Sequence, residues 1–542
     1  MEPAAAQPLL HIRPQLADPR PQLVAPIDVP RAGDVAEGRA TLLGHRLQFR
    51  ILALRNNVGV CPLKDRGAPT PFRNSESMNP ANTAAIAQSR VLTVTAPAAG
   101  ADPVRFLRRA TGPRGFWARS DRWIAHAGVL ATVSAEGTPP GRLFSGIETS
   151  ALDLFVPGAA QGVGDAPGVR LFGGFAFRPE YATVDLWSCF PPALFHVPQL
   201  ELESVSGGPP RLTVRILVDP KRERDESILT RLLAHAGRLC RELNEATEDG
   251  PRGSGGSPVL SSPRVPFTQA ESERADWDAA VRGALAEIGE GRMSKVVLAR
   301  TLDVVTAEPL DPIEVVRRLW KDSDGSHVFF FEPEPGRALV GAAPETVTTV
   351  SQGHFRATAV AGTVARGETP EEQDRLAKQL LESEKEGVEQ RIALDDMVAR
   401  LGPLAEEVRS QPEPHVLTLA LLQHLETEIH ARLTVGTSAL TVLEALHPTP
   451  AVCGLPRDTA LEFIGEQEPF DRGWYAGPVG WFDLDGNGEF VPALRCAVVH
   501  DDRWRLFAGA GIVRGSDPGL EWEETSIKFE PMLRALAASG AR

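Results

Sequence analysis

The chain has 542 residues, more than one ordinary core of ~100 to 200 residues needs, and 42% of them are apolar against 24% charged. That balance excludes a disordered polymer, and no uninterrupted apolar run approaches the ~18 to 20 residues of a membrane span. A formal charge of −14 repels a phosphate backbone, and no basic cluster interleaved with aromatics reverses it locally, so neither nucleic acid nor a membrane is an expected partner.

Residues 1–77 carry many prolines, few periodic apolar stretches and no recognisable chemistry. A dispensable, unstructured extension is expected there, with Met78 as an alternative start. The amino terminus lacks the charged, apolar and small-residue succession of a secretory signal. Its acids Glu2, Asp18 and Asp28 speak against a transit peptide. Cys61, Cys189, Cys240, Cys453 and Cys496 are scattered with no C-x-x-C pair, which fits thiols in a reducing compartment and a cytoplasmic protein.

From Ser89 onward the segments 91–95, 123–133, 170–177 and 212–218 read as strands bounded by Gly, Pro and Asp, so 78–264 is predicted to be an antiparallel sheet region. It ends in the Gly/Ser/Pro-rich loop 249–264. The remainder, 265–542, has sharper signals. Trp277, Val281, Leu285 and Ile288 recur at spacings of four, four and three, the stripe of an amphipathic helix that Gly289 and Gly291 can end. A strand over 294–305 follows. Thr369, Pro370 and Glu372 form a capping box that starts a helix, and Asp517 with Pro518 starts another whose buried stripe is Trp522, Phe529, Met532, Leu533 and Leu536. Strands and helices mix without regular βαβ alternation, which predicts an α+β class.

Several side chains in this region can carry chemistry. Lys295 shares a strand face with Val297 and Ala299, where desolvation makes a lysine a usable base; the alternative is a strand-end lysine with its head in water. Glu345 follows Pro344 in a turn of small residues, placed either as a general acid close to a ligand or as an ordinary turn glutamate. Glu386 with Glu389 and Glu521 with Glu524 are two i, i+3 pairs, able to offer acidic oxygens to one hard cation or to lie on solvated helix faces. Arg495 sits in the apolar run 492–496 and needs an anion, from the protein or from a substrate. Gly509 and Gly511 offer backbone N–H groups, or mark a tight turn. Tyr475 lies among glycines that permit close approach, as a ligand contact or a core phenol. His424 and Thr427, in H-L-E-T, are open to both structural and ligand roles.

The order of motifs is more informative than any one of them. S-K-V-V-L-A-R, G-A-A-P-E, A-V-A-G-T-V-A-R-G, S-E-K-E-G-V-E, H-L-E-T, H-P-T-P-A-V-C-G, G-W-Y-A-G-P-V-G-W, A-L-R, G-A-G-I and E-W-E-E-T-S-I-K resemble, in sequence and order, the chorismate-utilising enzymes. The match runs from about residue 267 to 536, with a looser echo over 89–203. The resemblance implies that family's fold, large antiparallel sheets flanked by helices, and chorismate as substrate. Nitrogen-inserting members normally have glutamine where Lys295 stands, and the run 447–454 looks like that of the isochorismate synthases. The implied reaction is a Mg²⁺-dependent isomerisation of chorismate to isochorismate, for menaquinone or siderophore synthesis. Salicylate synthase, or a silent chorismate-binding protein, is the alternative.

By the same resemblance Lys295 and Glu345 are catalytic, Glu389 and Glu524 ligate the metal, and Glu386 and Glu521 support it through water. Thr363, His424, Thr427, Tyr475, Arg495, Gly509, Gly511 and Lys528 would bind substrate. The chain departs from the family at Gln390, where many relatives carry histidine, and at Ala343, where serine is frequent. No G-x-C-x-G nucleophile occurs, so no amidotransferase subunit is expected, and a monomer is the default.

Overall fold

The computed structural model describes residues 49–52, 90–135, 141–154, 160–163, 167–181, 185–205, 207–218, 225–245, 267–322, 325–419 and 421–539. Most of the 1–77 extension and the 249–264 loop lie outside them. Phe49–Leu52 is an exception, a strand paired antiparallel with Ala131–Ala135. Four residues are too few for alternation to stand out in a proline-rich text.

Two large sheets, of eleven and thirteen strands among the described residues, make up the fold. In the first, Arg170–Phe175, Pro478–Asp483, Gly488–Pro492, Thr348–Ser351, His354–Ala365 and Leu422–Leu433 lie side by side in that order. In the second the corresponding run is Phe267–Glu271, Lys295–Thr306, Arg503–Ile512, Cys496–His500, Arg337–Ala343 and His327–Glu334. The described pairs are antiparallel except Arg90–Pro97 with Ala160–Val163. One apolar cluster joins the facing sides of the sheets, with Trp117 and Leu298 from one and Phe172 and Val491 from the other. Two further clusters seal the outer faces under helices. The α+β class and the antiparallel sheets flanked by helices are as the sequence implies.

The predicted strand 123–133 is two strands, Arg122–Ala127 and Ala131–Ala135, which enter different sheets. Gly128 between them has φ +70°, a conformation that ends one strand and redirects the chain. The segments 91–95, 170–177, 212–218 and 294–305 appear as Arg90–Pro97, Arg170–Phe175, Arg211–Val218 and Lys295–Thr306. Thr369 caps Pro370–Glu382 by accepting from the Glu372 amide at 3.2 Å, as the capping box requires.

The C-terminal helix Pro518–Ser539 buries Phe529, Met532 and Leu536, while Trp522 and Leu533 are partly covered. The apolar stripe does not reveal that the same helix also buries Glu521, Thr525 and Lys528. Arg300, on the strand Lys295–Thr306, explains part of that polar face. Its guanidinium donates to Thr525 Oγ1 and Ser526 Oγ, both at 2.6 Å, and stacks 3.7 Å from the Trp522 ring centroid.

Two connections set the position of the site. The chain passes from Arg337–Ala343 to Thr348–Ser351, and from Gly488–Pro492 to Cys496–His500, each time changing sheet. Because these strands pair with one another, the two crossovers lie side by side, and the Ala342 amide donates to the Arg495 carbonyl at 3.3 Å. Glu345 is on the first crossover and Arg495 on the second.

Candidate active site

Arg495 does not continue a strand, as the apolar run around it suggests. It takes φ +47° between two strands, a backbone position that turns it out of the ladder. Its guanidinium donates to His424 Nε2 at 3.2 Å, and the other ring nitrogen lies 3.0 Å from the Gly362 carbonyl and 3.2 Å from Thr363 Oγ1. A carbonyl only accepts, so Nδ1 carries the proton and Nε2 is the acceptor for Arg495. Burial, reinforced by Arg495 and Lys528, pulls the imidazole down to about 3, so His424 is a neutral bracket for the arginine.

Glu345 is 5% exposed. Burial raises its carboxyl to about 7 against the opposing pull of Lys295, Arg495 and Lys528. A carboxyl so poised is a proton donor at neutral pH. Lys295, at the start of its strand, is fully buried, so the strand-end reading with the head in water does not hold. Its ammonium lies 2.9 Å from Glu389 Oε1, yet its N–H groups meet no protein acceptor in hydrogen-bonding geometry. That leaves N–H groups of a buried ammonium free to meet a ligand beside the Glu389 carboxylate.

Glycines at 509 and 511 follow from register. Val297 and Ala299 face Gly511 and Gly509, but their amides turn away, to the Cys453 carbonyl at 2.7 Å and Glu468 Oε1 at 2.8 Å. Gly509 and Gly511 therefore direct their own polar groups to the opposite side, where Lys528 donates to the Gly509 carbonyl at 2.8 Å. A β-carbon at 511 would come within 2.9 Å of Glu389 Cδ and 3.1 Å of Lys295 Cε; one at 509 would stand 2.8 Å from the Tyr475 hydroxyl. Tyr475 stacks on Phe507 with centroids 4.8 Å apart, and burial pushes its phenol up, keeping it a donor.

The four glutamates face one another from two helices. Ser383 caps Glu384–Leu401, accepting from the Glu386 amide at 3.3 Å, and this helix carries Glu386 and Glu389. Glu521 and Glu524 come from Pro518–Ser539. Gly362, at φ +74°, lets Glu386 approach the strand His354–Ala365, where the carboxylate accepts from the Thr363 amide at 3.3 Å. Gln390 donates to the Ala359 carbonyl at 2.8 Å and to Thr427 Oγ1 at 3.0 Å. Thr427, 1% exposed, thus holds the helix of Glu386 and Glu389 through Gln390.

Each of the four carboxylates lies against a lysine. Glu389 pairs with Lys295, and Glu524 with Lys528 at 2.6 Å. Lys385 lies 2.7 Å from Glu521 Oε1 and 3.3 Å from Glu386 Oε1. Burial and the neighbouring Glu389 raise Glu386; burial and Glu524 raise Glu521. Burial alone would raise Glu389 as well, but Lys295, Lys385 and Lys528 outweigh it and hold that carboxyl below its ordinary value. Among the described residues no three or more carboxylates, histidines or cysteines are drawn together as a ready-made metal cage; the lysines balance these four carboxylates, whose oxygen donors are of the kind a hard divalent ion takes.

Lys385 and Arg300 are the residues the sequence reading did not single out. Lys385 stands next to Glu386, and Arg300 closes the S-K-V-V-L-A-R motif, but neither signals its partner on a helix more than 130 residues away.

A family model described as chorismate binding enzyme matches residues 77–537. The chain belongs to this family. It is 36% identical over 374 residues to the salicylate biosynthesis isochorismate synthase of Pseudomonas aeruginosa, covering 68% of this chain and 75% of that one. It is 35% identical over 371 residues to the isochorismate synthase MenF of Bacillus subtilis, with the same coverage of 68% and 75%. The solved structure of MenF, the menaquinone-specific isochorismate synthase from Escherichia coli, superposes with a TM-score of 0.64 at 26% identity, over 83% of this chain and 96% of that one. The chorismate-binding fold therefore accounts for the two sheets and their crossovers.

Proposed function

We propose that this chorismate-binding enzyme is an isochorismate synthase that works with magnesium on chorismate, supplying isochorismate for menaquinone or siderophore synthesis. One observation carries the reading: a buried carboxyl at about 7, Glu345, lies within electrostatic reach of the buried Lys295 and of Arg495 and Lys528. Lys295, taking part as the unprotonated amine, accepts a proton from the water that attacks ring C2. Glu345 gives a proton to the departing C4 hydroxyl as the double bonds shift, so the reaction neither gains nor loses atoms. Arg495, braced by His424, meets one substrate carboxylate together with Tyr475 and the amides of Gly509 and Gly511. Thr363 lies against His424 and Lys528 against the Gly509 carbonyl, both assigned to the substrate, and Thr427 fixes the helix of Glu386 and Glu389 through Gln390.

Glu389 and Glu524 would hold Mg²⁺ directly, with Glu386 and Glu521 supporting through water. When bound, the ion supplies charge that clamps the ring carboxylate. Positioning and charge neutralisation account for much of the acceleration. The free thiols of Cys189, Cys240, Cys453 and Cys496 support a cytoplasmic setting, and the reading involves no amidotransferase subunit. No described helix is long and apolar enough to cross a membrane.

The test is product analysis with chorismate and Mg²⁺. Isochorismate accumulating without salicylate or pyruvate is expected. Salicylate with stoichiometric pyruvate would reassign the chain to salicylate synthase, and no product at all would make it a silent binder.

A further inference from the structure

Among the lysines at the glutamate quartet, Lys385 is set apart by where it stands. Lys295 and Lys528 face the substrate side and are 0% and 9% exposed. The Lys385 side chain is 29% exposed and borders a cavity of about 830 Å³ together with Ser294, Val388, Leu455 and Arg514. Its ammonium bridges the two helices, 2.7 Å from Glu521 and 3.3 Å from Glu386, the two carboxylates not paired with Lys295 or Lys528.

We propose that Lys385 is an internal counter-cation that stands in for the divalent ion in the metal-free site and yields its charge position when the ion binds. This rests on the metal reading above. The Glu521 side chain is only 2% exposed, so without Lys385 or a metal it would be a buried, uncompensated charge. A divalent ion on the same carboxylates makes the ammonium redundant, and the two cations repel at short range. Lys385 has somewhere to go, because the cavity beside it opens to solvent; Lys295, fully enclosed, has not. An ordinary surface ion pair would contribute little in either state and would not distinguish them.

The experiment compares the wild-type protein with Lys385→Gln and Lys385→Arg by calorimetric titration with Mg²⁺ alone, and by thermal melts with and without Mg²⁺. Lys385→Gln should bind Mg²⁺ ~10-fold more tightly, because the ion no longer displaces a cation. Its metal-free form should melt at lower temperature and gain more from Mg²⁺ than the wild type does. Lys385→Arg, which keeps the charge, should follow the wild type. Equal or weaker Mg²⁺ binding by Lys385→Gln overturns the proposal and leaves the metal site standing. Absence of Mg²⁺ binding by the wild-type protein overturns the metal reading and the proposal with it. Should metal-free Lys385→Gln not fold, rescue by Mg²⁺ supports the proposal, and failure to fold at any Mg²⁺ concentration overturns it.

Discussion

Replacing Glu345 by glutamine keeps the size and hydrogen-bonding capacity of the side chain while removing its titration. The native state raises this carboxyl from 4.5 to about 7, burial being the main cause, so it favours the protonated form. The associated stability is fully present below 4.5 and is lost as pH rises through about 7. With those two values the ionisable side chain costs the fold roughly 1 kcal/mol at pH 5 and roughly 3 kcal/mol at pH 8. Urea unfolding of both proteins should therefore show the stability difference, variant minus wild type, growing by roughly 2 kcal/mol from pH 5 to pH 8. In parallel, isochorismate formation by the wild type should fall above about pH 7 as the general acid ionises. The variant should lose ~100-fold or more in turnover. A stability difference that stays flat between pH 5 and pH 8 would show that Glu345 is ionised throughout, and its role as proton donor would fall.

Lys295→Gln should lower turnover by more than ~100-fold while leaving chorismate binding largely intact, since glutamine cannot act as a base; near-normal product formation would exclude Lys295. Glu389→Gln and Glu524→Gln should both be severely impaired in a Mg²⁺ titration of turnover, and Glu386→Gln and Glu521→Gln should show the milder ~10- to 100-fold loss of metal affinity of supporting groups. Unchanged Mg²⁺ dependence in the first two would place the metal elsewhere. Gly511→Ala should push the Lys295 and Glu389 side chains apart at a cost of ~1 to 3 kcal/mol in stability, with turnover reduced at least ~10-fold and the far-ultraviolet circular dichroism preserved.

How much of this is legible in the sequence varies with the range of the interaction. The strand before Arg300, the capping box at Thr369 and the helix from Pro518 are local patterns, and each appears where its text predicts. The run through Gly128 reads as one strand because apolar residues continue across it, whereas a positive φ sends its halves to different sheets. Arg495 is misplaced into a strand for the same reason: composition does not record φ. The site residues are readable as motifs, but their grouping depends on two sheet crossovers that pair only in three dimensions. Periodicity counts apolar residues, so it finds the Phe529 stripe and passes over the buried Glu521, Thr525 and Lys528 on the same helix.

Charge counting at the site leads to one further expectation. Lys295, Lys385, Lys528 and Arg495 face Glu386, Glu389, Glu521 and Glu524, four cations against four anions, with Glu345 near half protonation at neutral pH. When a lone Mg²⁺ displaces Lys385 the largely buried site still gains one uncompensated positive charge, and a lone dicarboxylate brings uncompensated negative charge, so each binds less tightly alone than with the other. Together the two ligands offset one another, so each should tighten the other. Glu345→Gln is the protein to use, because it preserves the four-to-four count and slows turnover during the titration. Its Kd for Mg²⁺ should fall ~10-fold or more when chorismate is saturating, a coupling of ~1.4 kcal/mol or more. Thermodynamic reciprocity then requires Mg²⁺ to tighten chorismate by the same factor. A Kd for Mg²⁺ that does not respond to chorismate would mean that the carboxylates and lysines do not share one site with the substrate, whatever their proximity in the fold.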